Sequence, residues 1–177
     1  MFVPSLAGSA AARRNEIRSD RGFSLIELMV AVTILSLLFL VAVPTYQRLQ
    51  RKARTASIVN DLRVFGAALQ AHAHDTGAWP PEAAAGVVPT GMSTDEFNNE
   101  NWMRPTAIGG HYDWEYNQLQ AGVRFTAAIT ITGTPDAPIK VDYNQMLDID
   151  KAIDDGDLTT GNFRLGFGDS PLYIIEQ

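Results

Sequence analysis

The chain has 177 residues, of which 46% are hydrophobic and 19% are charged, and it contains no cysteine. This size and composition fit one compact domain with an additional segment, and they exclude a wholly disordered chain, a collagen-like repeat and a protein with many membrane spans. The lack of cysteine excludes a disulfide framework, a thiolate metal cluster and a cysteine nucleophile.

The net charge of −6 is distributed unevenly along the chain. Residues 1–22 carry four arginines against two acidic residues, and residues 23–47 carry a single charged side chain, Glu27. Residues 48–60 have a net charge of +4, whereas residues 61–177 hold 6 basic and 17 acidic residues, a net −11. Because an acidic region repels a phosphate backbone, we expect no nucleic-acid partner.

Residues 23–43 read FSLIELMVAVTILSLLFLVAV and form a long apolar run. As a helix this run is roughly 31 Å long, about the thickness of the hydrocarbon core of a bilayer. Arginines precede it at positions 13, 14, 18 and 21. The positive-inside rule therefore predicts a single-pass protein with residues 1–22 in the cytoplasm and the C-terminal region outside it.

Three interpretations compete for this apolar run. A cleaved secretory signal requires a small-x-small site after it, and none follows Val43. A plain signal anchor leaves Glu27 unexplained, since a carboxylate costs on the order of 3 kcal/mol at the centre of a membrane helix. A cut between Gly22 and Phe23 would create an α-amine one helical turn before Glu27, where it neutralises a carboxylate of its own or a neighbouring chain.

Residues 21–30, RGFSLIELMV, resemble the prepilin cleavage and methylation motif of type IV pilins and type II secretion pseudopilins. The resemblance implies that Gly22 is the last leader residue and that Phe23 is the N-terminal residue methylated by a prepilin peptidase/methyltransferase. It also implies that Glu27 pairs with the amine of a neighbouring subunit during assembly. The proline that commonly kinks the N-terminal helix of this family corresponds to Pro44.

The resemblance implies a structural subunit rather than an enzyme, and no catalytic motif is present in the sequence. The subunit would be inserted in the inner membrane, then assembled with copies of itself and other pilins or pseudopilins into a periplasmic or surface filament. The lack of cysteine and the Trp79-Pro80 turn favour a type II secretion pseudopilus, with a type IV pilus as the close alternative. A different class of function is a signal-anchored extracytoplasmic binding or enzymatic domain that does not polymerise.

The apolar pattern changes from continuous to periodic after Pro44. Ile58, Leu62, Phe65, Leu69 and His72 recur at helical spacing, and the run from Gly77 to Pro81 ends the helix. We therefore predict a leader at 1–22, a transmembrane or filament-core helix at 23–43, an amphipathic continuation of that helix at 44–76 and a globular head at 77–177.

The head contains signals for short helices and several strands. A capping box at residues 93–96 predicts a short helix reaching Trp102, and the spacing of Met146, Ile149 and Ile153 predicts another. Strands are predicted at 111–117, 123–132, 163–165 and 172–175. These elements predict an α+β fold in which a long N-terminal helix packs on a small antiparallel β-sheet, as the family resemblance also implies.

An acidic segment near the C-terminus is the one candidate for a metal ion. Asp154, Asp155 and Asp157 lie near a glycine and suit Ca²⁺, which some major pseudopilins bind in a C-terminal loop. Their spacing does not match a known calcium loop, and a predicted helix disperses Asp148 and Asp150, so an ordinary helix end with an Asp-Gly turn is favoured. We expect no other cofactor.

Overall fold

The computed structural model describes residues 22–92, 97–120, 122–140 and 142–177. The chain divides into two units, Met1–Val43 and Pro44–Gln177. One helix, α1 (Leu25–Thr76), begins in the first unit and ends in the second. It ends where Gly77 adopts a φ of 75° and donates its N–H to the carbonyl of Ala73 at 2.9 Å, so the predicted helix end is confirmed.

The second unit contains a four-stranded sheet and two shorter helices. The strands are β1 (His111–Gln120), β2 (Val123–Thr132), β3 (Phe163–Leu165) and β4 (Pro171–Glu176), and the helices are α2 (Asn99–Met103) and α3 (Tyr143–Ile153). The strand order is β1-β2-β4-β3, and every neighbouring pair is antiparallel. The predicted α+β fold, a long helix on a small antiparallel sheet, is confirmed.

The predicted apolar stripe on α1 forms the centre of the core in the second unit. Ile58, Leu62, Phe65 and Leu69 are at most 1% exposed, and they belong to one cluster with buried side chains of β1 and β2. The ring of Phe65 lies 5.0 Å from the rings of both Trp102 and Tyr112. These aromatic contacts connect α1 to α2 and β1. Besides burying apolar area, they favour one relative orientation of the rings.

Two predicted boundaries differ from the structure. The short helix α2 begins at Asn99, where the side chain of Asn98 accepts a hydrogen bond from the backbone N–H of Asn101 at 3.1 Å. The capping box predicted at 93–96 lies outside the described residues. Strand β1 continues to Gln120 instead of ending at Asn117, because residues 118–120 also pair with β2.

Candidate functional site

The residues of the predicted cleavage and methylation motif lie just before and within the first turn of α1. Gly22 and Phe23 precede the helix in non-helical backbone, and both are exposed. A Cβ atom built on Gly22 would meet nothing within 4 Å. The Gly22–Phe23 peptide bond is therefore accessible, and no packing within the described residues requires a glycine at position 22.

Glu27 lies at the third position of α1 and interacts with the helix start. Its Oε2 accepts a hydrogen bond from the backbone N–H of Ser24 at 3.2 Å. The carbonyl of Ser24 accepts the first helical hydrogen bond, from the N–H of Leu28 at 3.2 Å. Ser24 is thus the N-cap, and Glu27 makes the backward hydrogen bond of a capping box. This hydrogen bond holds the carboxylate at the end of the helix.

This local role of Glu27 was not predicted from the sequence. The signal was present, because Ser24-Leu25-Ile26-Glu27 is an S-x-x-E pattern directly before an apolar run. The family resemblance predicted only a role for the charge of Glu27, in pairing with the amine of a neighbouring subunit. Both roles use the same carboxylate, so an experiment on Glu27 must separate capping from charge.

The apolar part of α1 is exposed along its whole length. Large apolar side chains between Phe23 and Val43 are between 48% and 81% exposed. By length and composition, α1 is the one helix of the described residues that is able to cross a membrane. The hydroxyls of Thr33 and Ser36 donate to the carbonyls of Met29 and Val32, each at 2.8 Å, so neither hydroxyl needs a water partner.

Pro44 lies inside α1, which continues as a helix on both sides of it. The kink expected there from the family resemblance stays a prediction. The basic segment follows with Arg48, Arg51, Lys52 and Arg54. Of these, Arg51 forms a 3.4 Å ion pair with Asp142, the N-cap residue of α3.

The acidic segment after α3 forms a loop whose carboxylates accept hydrogen bonds from the same loop. Asp155 accepts from the N–H of Asp157 at 2.9 Å, and Asp157 accepts from the N–H of Thr159 at 3.0 Å. Asp154 accepts from the N–H of Asn162. Within the described part of the chain, no group of three or more His, Cys, Asp or Glu side chains is arranged to hold a metal ion. Calcium binding by Asp154, Asp155 and Asp157 stays a prediction.

Asp150 lies on α3, shortly before this loop. Its side chain is fully buried, and within the described residues neither carboxylate oxygen has a partner at good hydrogen-bond geometry. Burial, followed by the charges of Asp155, Asp154 and Asp157, raises the pKa of Asp150 to about 6. The predicted helix is present as α3, and within the described residues Asp148 and Asp150 belong to no acidic group arranged to hold a metal ion, so their dispersal by this helix is not contradicted.

The N-terminal segment has recognisable relatives. Residues 17–43 match the family model described as the prokaryotic N-terminal methylation motif, a range that includes Gly22, Phe23 and Glu27. The chain is also 34% identical over 72 residues to fimbrial protein EcpC of Eikenella corrodens. The chain therefore carries a prokaryotic N-terminal methylation motif and is similar over part of its length to a fimbrial protein.

Both similarities cover only part of this chain. The match to the Eikenella fimbrial protein covers 40% of this chain and 47% of that protein, so the chain spans about half the length of the curated relative that it matches. Among solved structures, the major type IV pilin PilA1 from Clostridium difficile aligns with a TM-score of 0.43 and 20% identity, covering 72% of this chain and 97% of that one. The match to the methylation motif is the one placed on particular residues, 17–43.

Proposed function

We propose that this chain is a structural filament subunit that is synthesised as a prepilin and assembled through its N-terminal helix. One observation carries the proposal. The matched motif, residues 17–43, includes the first part of α1, and the large apolar side chains of this part are exposed. An exposed apolar surface of this length must be covered by lipid or by protein. Lipid supplies it before assembly, and the helices of neighbouring subunits supply it in the filament.

Processing occurs between Gly22 and Phe23 in this proposal. A prepilin peptidase/methyltransferase cuts this bond and methylates Phe23. The non-helical, exposed backbone at both residues supports the proposal, because a peptidase needs an extended and accessible peptide. The open space around Gly22 supports a requirement for glycine in the peptidase, because the fold has room for a larger residue at this position.

Glu27 sets the register of assembly. After cleavage, the Phe23 amine is a cation at the end of an apolar segment, and the Glu27 carboxylate of a neighbouring subunit is its counter-ion. A subunit displaced along the filament axis leaves both charges unpaired in an apolar medium, which is costly. The hydrogen bond from Ser24 supports this role because it holds the carboxylate near the N-terminal end of α1, where the new amines lie.

The location follows from the charge distribution. The arginines before residue 22 keep the leader in the cytoplasm, and the acidic head, residues 77–177, lies outside the inner membrane. The finished filament is a surface pilus or a periplasmic type II pseudopilus. The Trp79-Pro80 turn that favours a pseudopilus also has a role within the head, since Trp79 Nε1 donates to Glu176 at 2.6 Å and its ring lies 5.6 Å from that of Trp114.

The proposal is tested by intact-mass spectrometry of the protein purified from membranes of a host with a prepilin peptidase. A mature chain that begins at Phe23 and carries one added methyl group supports it. A chain that retains residues 1–22 contradicts it and supports the signal-anchored, non-polymerising domain. Electron microscopy of the sheared surface fraction and of the periplasmic fraction then shows where filaments form.

A further inference from the structure

A tight turn between β3 and β4 presents an aromatic ring to solvent. Phe167 is 85% exposed, more than any other large hydrophobic side chain of the described residues. The turn is closed by the N–H of Gly166, which donates to the carbonyl of Ser170 at 2.8 Å. Gly168 and Asp169 have φ values of 64° and 59°, so the turn has a defined conformation that holds the ring away from the sheet. Asp169 places an exposed carboxylate two residues after the ring.

A groove between α1 and α3 has complementary chemistry. Its volume is about 500 Å³, and it is open to solvent. Apolar and charged side chains line it together with one threonine: Lys52, Thr55, Ala56, Val59, Arg63, Asp148 and Ala152. The two cations outnumber the single carboxylate, and the neighbouring part of α1 is also basic.

One wall of the groove is held in place by a long-range hydrogen bond. Nη2 of Arg63 donates to the carbonyl of Ala152 at 2.9 Å, so the guanidinium is positioned at the C-terminal end of α3 while its side chain stays exposed. A positioned cation loses little conformational freedom when an anion binds next to it. The groove is thus prepared for a ligand that combines an apolar group with a carboxylate.

We propose that the Phe167–Asp169 turn of one copy docks in the α1/α3 groove of a second copy. The phenyl ring packs on Ala56, Val59 and Ala152, and the carboxylate of Asp169 lies beside Lys52 and Arg63. The exposure of Phe167 shows that the ring does not occupy the groove of its own chain. This contact between heads rests on the proposed filament function and adds a second interface to the one made by the N-terminal helices.

The symmetry of this contact favours a filament. The turn and the groove are different surfaces, so each bound copy keeps one free turn and one free groove. Such a heterologous contact continues from copy to copy and forms an open polymer unless the rotation closes it into a ring. Attraction between the acidic turn and the basic segment of α1 favours the correct orientation during association.

The absence of cysteine allows a direct test by cross-linking the full chain in a host that processes prepilins. A double variant, Ser170→Cys with Ala56→Cys, keeps the ring of Phe167 and the carboxylate of Asp169, and it is oxidised in membranes and in filaments. A disulfide requires Cα atoms within about 7 Å of each other. We expect a ladder of linked multimers from the double variant, and at most dimers from either single variant. Leu119→Cys with Ala56→Cys is the matched control, because Leu119 is 61% exposed on β1 and lies outside the proposed contact.

A second measurement compares the yield of sheared filaments. Phe167→Ala removes an exposed ring and leaves the fold intact, and we expect it to reduce the yield at least about tenfold, as loss of an interface anchor does. Leu119→Ala retains the wild-type yield. Normal filaments from Phe167→Ala, together with no cross-linking of the double variant, overturn this contact and leave the proposed function standing. The same pair of results is expected if the groove binds a lipid phosphate instead of a second copy. If the wild type forms no filaments, the proposed function fails, and the ladder alone then decides whether the heads pair.

Discussion

The phenolic oxygen of Tyr112 on β1 donates a 3.0 Å hydrogen bond to Oδ2 of Asp61 on α1. Both side chains are buried, Tyr112 to 1% and Asp61 to 8% exposure. Burial, followed by the charge of Asp61, raises the pKa of Tyr112 well above its usual range, so the tyrosine stays protonated and remains a donor. This pair fixes α1 against the sheet at one polar point within an apolar interface.

Removal of the Tyr112 hydroxyl tests that pair. Tyr112→Phe leaves the Asp61 carboxylate buried without its donor, so we expect the free energy of unfolding to fall by about 1–3 kcal/mol. Urea denaturation of the full chain in detergent measures the change. Tyr116→Phe, on the same strand but 39% exposed, is the control and shifts the midpoint little. Equal midpoints for the two variants contradict the stabilising role of the pair.

Substitutions of Glu27 separate its charge from its capping role. Glu27→Gln keeps an acceptor for the N–H of Ser24 but lacks the charge needed to pair with an amine. We expect both Glu27→Gln and Glu27→Ala to be cleaved normally and to form few filaments, measured by immunoblotting of sheared fractions. Normal assembly of Glu27→Gln together with failure of Glu27→Ala would assign the role to capping, and normal assembly of both would end the register hypothesis.

A larger residue at position 22 tests the processing site. Gly22→Leu introduces a side chain that meets no neighbour within 4 Å of its Cβ, so we expect normal folding and membrane insertion. We also expect the precursor to accumulate uncut, because the proposed prepilin peptidase requires a glycine before the bond that it cuts. Intact mass distinguishes the precursor from a chain that begins at Phe23. Efficient cutting of Gly22→Leu at the same bond would contradict a requirement for glycine.

We expect the thermal stability of the folded chain to depend on pH because of Glu115 on β1. Burial, followed by the charges of Asp113 and Glu82, raises its pKa from 4.5 to about 7. The folded state therefore binds more protons than the unfolded state between these values, and the contribution of Glu115 becomes more unfavourable as the pH rises through that window. We expect Glu115→Gln to raise the Tm at pH 8 and to leave it nearly unchanged at pH 4.5.

The control for this experiment is Glu100→Gln, which neutralises an exposed carboxylate on α2. Differential scanning fluorimetry of the two variants and the wild type, run in parallel at both pH values, isolates the effect of position 115. A Tm difference between wild type and Glu115→Gln that does not change with pH would show that Glu115 titrates normally.

Calcium titration decides between the two interpretations of the acidic loop. A bound ion stabilises the folded chain by mass action, so calcium raises the Tm, EDTA reverses the rise and Asp155→Asn abolishes it. A loop that satisfies its own carboxylates has the same Tm in calcium and in EDTA. The hydrogen bonds to Asp154, Asp155 and Asp157 favour this second outcome.

Local patterns in the sequence were sufficient for most of the secondary structure. Strand β2 covers residues 123–132 as predicted, and the buried stripe from Ile58 to Leu69 follows the predicted spacing. Both depend on periodicity within one segment, which is independent of where the rest of the chain lies. The N-terminal motif is also local, and the family match to residues 17–43 covers it.

The remaining features depend on contacts between distant segments. The strand order β1-β2-β4-β3 places β4 between two strands that precede it in the chain, and no local pattern specifies that pairing. Three other features also depend on residues far apart in sequence. They are the hydrogen bond between Asp61 and Tyr112, the burial of Asp150 and the groove in which Arg63 contacts Ala152. The sequence by itself determined the apolar helix, its charged flanks and the processing motif, because each of them depends only on residues that are consecutive in the chain. Only the tertiary structure decided which surfaces of the head are left open for a partner, because exposure depends on how every other segment packs.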